Sequence, residues 1–162
     1  MKQVVYIPLI CFMALLAEFC LFNLFGRWGD PQLLLLVVLF FNLYSGVRFS
    51  LWAAFWAGMF KDCFSTMPFG THILAYVVCV YFSVFIRHTF YERGNDLSKL
   101  FMIFAVVTAN VLVLGFLHQM VFEEVAWGEV FWGIWLPEVV TTLVVALYLF
   151  GRLLFMARAL RF

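Results

Sequence analysis

The chain has 162 residues, of which 67% are hydrophobic and 12% are charged, and its formal net charge is +1. Soluble domains are roughly half apolar and a quarter charged, so a soluble core of this size could not bury the apolar excess. The mean hydropathy of +1.06 and the aromatic content of 21% favour lipid as the solvent. The near-neutral charge gives no strong attraction to nucleic acid. Composition therefore predicts an integral membrane protein.

Six apolar segments separated by turn signals follow one another along the chain. A transmembrane helix needs about 20 apolar residues, although shorter helices occur inside bundles. The segments cover residues 4–25, 32–47, 49–64, 71–90, 99–121 and 130–156. The second and third are short, so a hairpin that crosses incompletely is an alternative, and Pro137 is expected to kink the sixth. We predict one all-α membrane domain over residues 1–162, a bundle of about six transmembrane helices.

The basic residues predict the orientation, because cytoplasmic loops of membrane proteins are enriched in Lys and Arg. With the N-terminus inside and six alternating spans, eight of the ten basic residues lie inside: Lys2, Arg48, Arg87, Arg93, Lys99, Arg152, Arg158 and Arg161. The outside holds Arg27 and Lys61, together with the acidic residues Asp30, Asp62, Glu123, Glu124 and Glu129. An odd number of spans would place the basic C-terminal tail outside. We therefore expect both termini in the cytoplasm.

Four polar residues fall inside predicted spans, namely Glu18, Asn42, Asn110 and Glu138. An ionised carboxylate in hydrocarbon costs several kcal/mol, so Glu18 and Glu138 should be protonated, face the bundle interior, or contact water or a partner. For both carboxylates, a functional contact with a ligand, proton or partner helix and a simple packing hydrogen bond stay open as alternatives. Interhelical hydrogen bonds explain the amides of Asn42 and Asn110.

The sequence contains no residue pattern typical of an active site. There is no Ser/His/Asp set, no glycine-rich phosphate loop and no paired-carboxylate site on a rigid scaffold. The histidines His72, His88 and His118 are not at the spacing of metal ligands. We therefore predict that the protein is not an enzyme and has no cofactor or metal.

The third segment is the most informative. Ala54, Gly58 and Asp62 recur every four residues and so share one face of a helix. Small residues at this spacing let another backbone approach closely, and Asp62 ends the face at the outer membrane level. A turn containing Pro68 and Gly70 follows. Simple helix packing and a contact with a partner helix are both consistent with this pattern.

A series of short motifs spans residues 31–81. They are a leucine-rich helix led by Pro31, the stretch from Gly58 to Asp62, the turn Pro68-Phe69-Gly70, and Leu74-Ala75-Tyr76. This order resembles the rod shape-determining protein MreD family, whose length and six-span layout are similar too. Ala54 stands where the family often has Gly, Phe69 stands where Leu is usual, and Lys61 is not part of the family pattern.

The resemblance implies a non-enzymatic inner-membrane protein of the bacterial elongation machinery. Family members act with MreC, and through it with MreB, RodA and a class B penicillin-binding protein, to organise lateral peptidoglycan synthesis. Their fold is similar to the S components of energy-coupling-factor vitamin transporters, which implies a pocket that opens outward. In this sequence Asp62, Pro68, Gly70 and His118 are the residues expected to border it, with membrane lipid as a further contact.

Three functions therefore follow as hypotheses. The first is a membrane scaffold whose residues Ala54, Gly58 and Asp62 contact the transmembrane helix of MreC. The second is a solute binder similar to an S component, which would need a polar pocket selective for a vitamin. The third is a membrane enzyme such as a lipid-modifying one, which the lack of a catalytic residue set disfavours.

Overall fold

The computed structural model describes residues 2–26, 31–90, 96–122, 128 and 131–159. Within these ranges the protein is entirely helical, as predicted. Several residues used for the predicted orientation lie outside the described part of the chain: Arg27, Asp30, Arg93, Glu123, Glu124, Glu129 and Arg161.

Among the described residues, six α-helices correspond to the six predicted segments. They are α1 (Lys2–Phe25), α2 (Leu33–Tyr44), α3 (Val47–Phe64), α4 (Thr71–Phe90), α5 (Asp96–Phe122) and α6 (Leu136–Ala159). A π-helical turn, Phe131–Trp135, leads directly into α6. The helical run therefore continues from Phe131 to Ala159, and Pro137 is its seventh residue. A proline inside a helical run and a π-helical turn are both causes of kinks, so the kink expected at Pro137 stays a prediction.

In the part of the chain that the structure describes, three helices contain a stretch that is long and apolar enough to cross a membrane: Tyr6–Leu24, Thr71–His88 and Leu100–Val121. Helix α2 has 12 residues and is about 18 Å long at 1.5 Å per residue, which is less than the roughly 30 Å of a hydrocarbon core. Helix α3 has 18 residues but carries Arg48, Lys61 and Asp62. The described helices thus support three of the six predicted crossings, and the other three stay predictions.

Helix α2 forms the centre of the bundle and contacts each of the other five helices. Every residue from Leu33 to Leu43 is buried. A helix that is apolar on all sides has no face suited to water, and its place is inside a core. The uninterrupted run of Leu, Val and Phe in α2 is therefore explained by enclosure within the protein.

Helices α3 and α4 form a tight antiparallel hairpin. Gly58 lies so close to α4 that a Cβ atom added to it would be 2.5 Å from the Ile73 Cα and 2.7 Å from the Ile73 N. Ala54 on the same face is completely buried. At the turn, Gly70 has a φ of 101°, a conformation that glycine adopts without strain, and the Pro68 carbonyl accepts a hydrogen bond from the Thr71 N–H at 3.2 Å.

The small-residue face predicted for α3 is therefore occupied within the chain. Of the two alternatives that the sequence left open, packing of the chain's own helices accounts for Ala54 and Gly58. A direct contact of these two residues with a partner helix does not fit the structure, because α4 already lies against Gly58 and Ala54 has no exposed surface.

The outer surface of the bundle is rich in large apolar side chains. Exposed examples on four different helices are Leu9, Phe85, Phe116 and Tyr148, each more than half exposed. A soluble monomer rarely exposes so much contiguous apolar surface. Together with the three apolar helices, this surface supports the prediction of a membrane protein.

Replacing Gly58 by alanine should destabilise the hairpin, because the new methyl group would overlap the Ile73 backbone, which cannot rotate away. We expect the free energy of unfolding in detergent to fall by about 1–3 kcal/mol, the usual cost of overpacking. Gly133→Ala is the matched control, since a Cβ at Gly133 meets no atom within 4 Å. Equal stability of the two variants in a denaturation experiment would contradict the close approach.

Candidate functional site

Asp62 lies near the end of α3 and caps the start of α4. Its carboxylate accepts hydrogen bonds from the backbone N–H groups of Gly70 at 2.9 Å, His72 at 2.9 Å and Ile73 at 3.4 Å. The first N–H groups of a helix have no partner within the helix and attract negative charge. Asp62 is buried, with 4% of its surface exposed, and its contacts are all to the α3–α4 turn and the first residues of α4.

His72 completes this arrangement. Its Nδ1 lies 2.8 Å from Asp62 Oδ1, so the Nδ1–H tautomer donates to the carboxylate. The imidazole also packs edge-on against the Tyr76 ring, with the ring centroids 6.4 Å apart. The carboxylate therefore fixes both the backbone of the α4 N-terminus and the orientation of one ring.

Glu18, on α1, forms an ion pair with Lys61 on α3. The other carboxylate oxygen accepts a longer hydrogen bond, 3.4 Å, from the backbone N–H of Leu34 at the start of α2. The Glu18 side chain is 5% exposed and that of Lys61 is 27% exposed. Glu18 therefore faces the bundle interior, which was one of the alternatives expected for a carboxylate within a span. Its charge is balanced by Lys61.

The Glu18–Lys61 pair could not be derived from the sequence. The two residues are 43 positions apart, and the predicted orientation places Lys61 only on the outer side of the membrane. The signal that could have found the pair is the coincidence of one acidic residue in the first span and one basic residue in the last turn of the third. That signal becomes specific only when α1 and α3 are known to be neighbours.

A pocket of about 210 Å³ opens beside this ion pair. Four of the side chains that line it are polar or charged and four are apolar: Glu18, Lys61, His72 and Ser65, and Leu15, Phe19, Phe22 and Phe64. The expected borders of an outward pocket were Asp62, Pro68, Gly70 and His118, and none of these is in the lining. Asp62 is instead hydrogen-bonded to the imidazole of His72, which does line the pocket.

A second polar group lies further along α2, at Asn42. The Asn42 amide donates to the Val80 carbonyl at 3.4 Å and to the Ser83 hydroxyl on α4. Arg87 donates from Nη1 to the backbone carbonyl oxygen of Asn42 at 2.7 Å. Interhelical hydrogen bonding, as expected for Asn42, thus joins α2 to α4 and also engages Arg87.

A third polar group joins α2, α5 and α6. The Asn110 amide donates to Gln32 Oε1 at 2.8 Å, and the Gln32 backbone N–H donates to the Thr142 hydroxyl at 3.1 Å. Asn110 therefore makes the expected interhelical bond. Glu138 is in the first turn of α6 and is the eighth residue of the helical run that begins at Phe131, so its depth within a span stays a prediction.

The described residues contain no group of three or more His, Cys, Asp or Glu side chains that could hold a metal ion. Asp62 and His72 form a pair, but no serine or cysteine nucleophile is hydrogen-bonded to His72 among the contacts described. Asp62 stabilises the start of α4, and Glu18, Lys61 and His72 line a small, partly charged pocket.

The fold and these polar groups define an all-helical membrane protein whose charged residues are used to join helices. The chain matches the family model of the rod shape-determining protein MreD over residues 1–158, and it therefore belongs to the MreD family, a family of shape-determining membrane proteins. The resemblance noted for residues 31–81 is confirmed by this match. Neither a curated protein nor a solved structure matches the chain.

Asp62→Ala should strongly destabilise the protein, because three backbone N–H groups would lose their acceptor. Each buried donor left without a partner costs about 1–3 kcal/mol, so we expect the free energy of unfolding to fall by about 3 kcal/mol or more. Asp62→Asn, which keeps one acceptor oxygen, should lose roughly half as much. The exposed neighbour variant Cys63→Ser is the control and should unfold like the wild type.

A double-mutant cycle should show that Glu18 and Lys61 depend on each other. We expect Glu18→Gln and Lys61→Met each to reduce stability, because each leaves one charge in an apolar site. The double variant should lose about 1–2 kcal/mol less than the sum of the single losses. Cys20→Ser, exposed on α1, serves as the control. Additive losses measured by thermal denaturation in detergent would contradict the coupling.

Proposed function

We propose that the protein is a non-enzymatic scaffold of the bacterial cell-elongation machinery in the inner membrane, where it binds MreC and helps to organise lateral peptidoglycan synthesis. The observation that carries this proposal is the match to the MreD family over residues 1–158. Through MreC the scaffold would act on MreB filaments, RodA and a class B penicillin-binding protein. Both termini would be cytoplasmic, in agreement with the excess of basic residues on that side.

The contacts within the bundle support a scaffold. Polar side chains of the described residues join helices that are distant in sequence, as in the pairs Glu18–Lys61 and Gln32–Asn110. A set of such contacts rigidifies a bundle, and a rigid surface is what a partner helix needs in order to bind without a large ordering cost.

The α3–α4 hairpin is the element that we assign to MreC binding. Ala54, Gly58 and Asp62 are buried, so they would act on the partner through the shape of this hairpin and not through direct contact. Exposed side chains on the outer sides of the same two helices, such as Phe55 and Tyr81, would form the surface that the single transmembrane helix of MreC meets. Van der Waals packing is the main driving force for such contacts in lipid.

A solute binder similar to an S component is the second candidate, and the pocket beside Glu18 and Lys61 is the observation in its favour. The pocket, at about 210 Å³, is smaller than the roughly 300–1,000 Å³ of typical ligand sites. Stabilisation of the purified protein by a specific vitamin would support this candidate, and a screen with no stabilising vitamin would count against it.

Gly58→Leu and Asp62→Arg should both abolish co-purification with MreC, because each forces α3 and α4 apart. The measurement is affinity capture of MreC from detergent-solubilised membranes, with cell shape in a strain depleted of the native protein as a second readout. A fluorescent fusion and size-exclusion chromatography check that each variant inserts and stays monodisperse.

Cys63→Ser is the matched control, since Cys63 follows Asp62 directly in α3 and is exposed. It should retain MreC and rod shape. Full recovery of MreC with both hairpin variants would contradict the assignment of MreC binding to this hairpin, while loss of rod shape with intact MreC capture would place the defect in a later step of the machinery.

A further inference from the structure

The turn between α3 and α4, residues 65–70, has two phenylalanine side chains beside it that the bundle does not cover. Phe69, within the turn, is 69% exposed, and Phe64, the last residue of α3, is 66% exposed. Moving a fully exposed side chain of this size from water to an apolar surrounding gains up to about 3 kcal/mol. This end of the hairpin is therefore better suited to an apolar surrounding than to water.

The backbone of the turn finds most of its hydrogen-bond acceptors within the hairpin. Of the ten residues from Ser65 to Leu74, seven donate a backbone N–H to an acceptor in the hairpin: Ser65, Met67, Gly70, Thr71, His72, Ile73 and Leu74. Pro68 has no N–H group. A backbone group without a partner costs several kcal/mol in hydrocarbon. A turn that supplies its own acceptors can therefore enter the edge of the hydrocarbon.

Two N–H groups of the same stretch limit how deep the turn can lie. Those of Thr66 and Phe69 donate to no acceptor among the described residues. The hydrocarbon core offers them no acceptor, whereas water and lipid oxygen atoms are present at the headgroups. The backbone of the turn therefore fits the boundary between headgroups and hydrocarbon.

The charged residues next to the turn are bound within the protein. Lys61 forms an ion pair with Glu18, and Asp62 accepts hydrogen bonds from the backbone and the ring of His72. The two α3 residues come four and three positions before Ser65, about 5 Å closer to the middle of the bundle. Ionised side chains within a membrane are typically paired inside the protein. This charged layer is therefore compatible with a turn at membrane depth.

The lengths of α3 and α4 place the turn near the far side of the hydrocarbon. Arg48 is exposed at the start of α3 and Arg87 is in the last turn of α4, so both mark the cytoplasmic boundary in the predicted orientation. Ser65 follows Arg48 by 17 residues and Gly70 precedes Arg87 by 17 residues, which is about 26 Å along either helix. Since the hydrocarbon core is about 30 Å thick, the turn does not project far beyond it.

From these observations we propose that the α3–α4 turn lies in the outer leaflet of the membrane, at the boundary between headgroups and hydrocarbon, with Phe64 and Phe69 inserted among the acyl chains. Lipid, and not a soluble domain of a partner, then covers this surface. Leu74 and Val78, which are exposed on α4, continue the apolar surface from the turn into the span. The inserted turn would fix the depth of the hairpin in the bilayer. This inference does not rest on the proposed binding of MreC.

The test measures the depth of the turn with a nitroxide label on the full chain, reconstituted into phosphatidylcholine vesicles. The label is attached to Phe69→Cys in a chain that also carries Cys20→Ser and Cys63→Ser, because these two cysteines are exposed whereas Cys11 and Cys79 are buried. Oxygen concentrates in hydrocarbon, and a nickel chelate stays in water. We expect the label to collide more often with oxygen than with the chelate.

Gly128→Cys in the same background is the matched control for water. Gly128 is exposed, and a Cβ there meets no atom within 4 Å. It belongs to an acidic segment that the predicted orientation places outside. The ratio of oxygen to nickel collisions should be roughly tenfold higher at position 69 than at position 128, a partition difference of about 1.4 kcal/mol. If Phe69→Cys fails to fold, Phe64→Cys takes its place with the same expected ratio.

Equal ratios at positions 69 and 128 would overturn the proposal, because the two labels would then share the same surroundings. A label at position 69 that is in water in vesicles of this chain alone and is shielded only after MreC is added would also overturn it, in favour of a partner surface. A high ratio without MreC supports the proposal. Capture of MreC by the Phe69→Cys variant, measured separately, distinguishes either result from failure of the proposed scaffold function.

Discussion

Helix α2 is enclosed by the other five helices, and the polar contacts of the bundle are concentrated around it. Its N-terminal N–H groups are not capped by the side chain of Gln32. A helix end buried away from water needs other partners, and Glu18 from α1 and Thr142 from α6 supply acceptors at this end. The enclosure of one short apolar helix thus explains why distant helices carry polar side chains that point inward.

The α3–α4 hairpin is held by two contacts of different physical kinds. At Gly58 the two backbones are so close that a methyl group would not fit between them. Asp62 provides the acceptor for the N–H groups that begin α4. Close packing and hydrogen bonding reinforce each other here, since the carboxylate can reach the α4 N-terminus only if the helices are close. A change at either residue should therefore affect the same surface.

The scaffold proposal uses the outer sides of α3 and α4, whereas the Glu18–Lys61 ion pair lies between this hairpin and α1. In an apolar bundle an ionised side chain is costly unless it is paired. The ion pair therefore joins α1 to the hairpin that carries the proposed MreC surface.

The sequence by itself determined the helical membrane class, the positions of six apolar segments and membership of the MreD family, because hydropathy and the short motifs between Pro31 and Tyr76 are local properties of the chain. It also identified Glu18, Asp62 and Gly58 as unusual residues, since a buried charge or a small residue at helical spacing is visible without a fold. The tertiary structure decided what these residues contact. The pairing of Glu18 with Lys61, the use of Asp62 as a cap for α4 and the filling of the Gly58 face by Ile73 depend on which helices are neighbours, and helix neighbours are set by packing between segments distant in sequence.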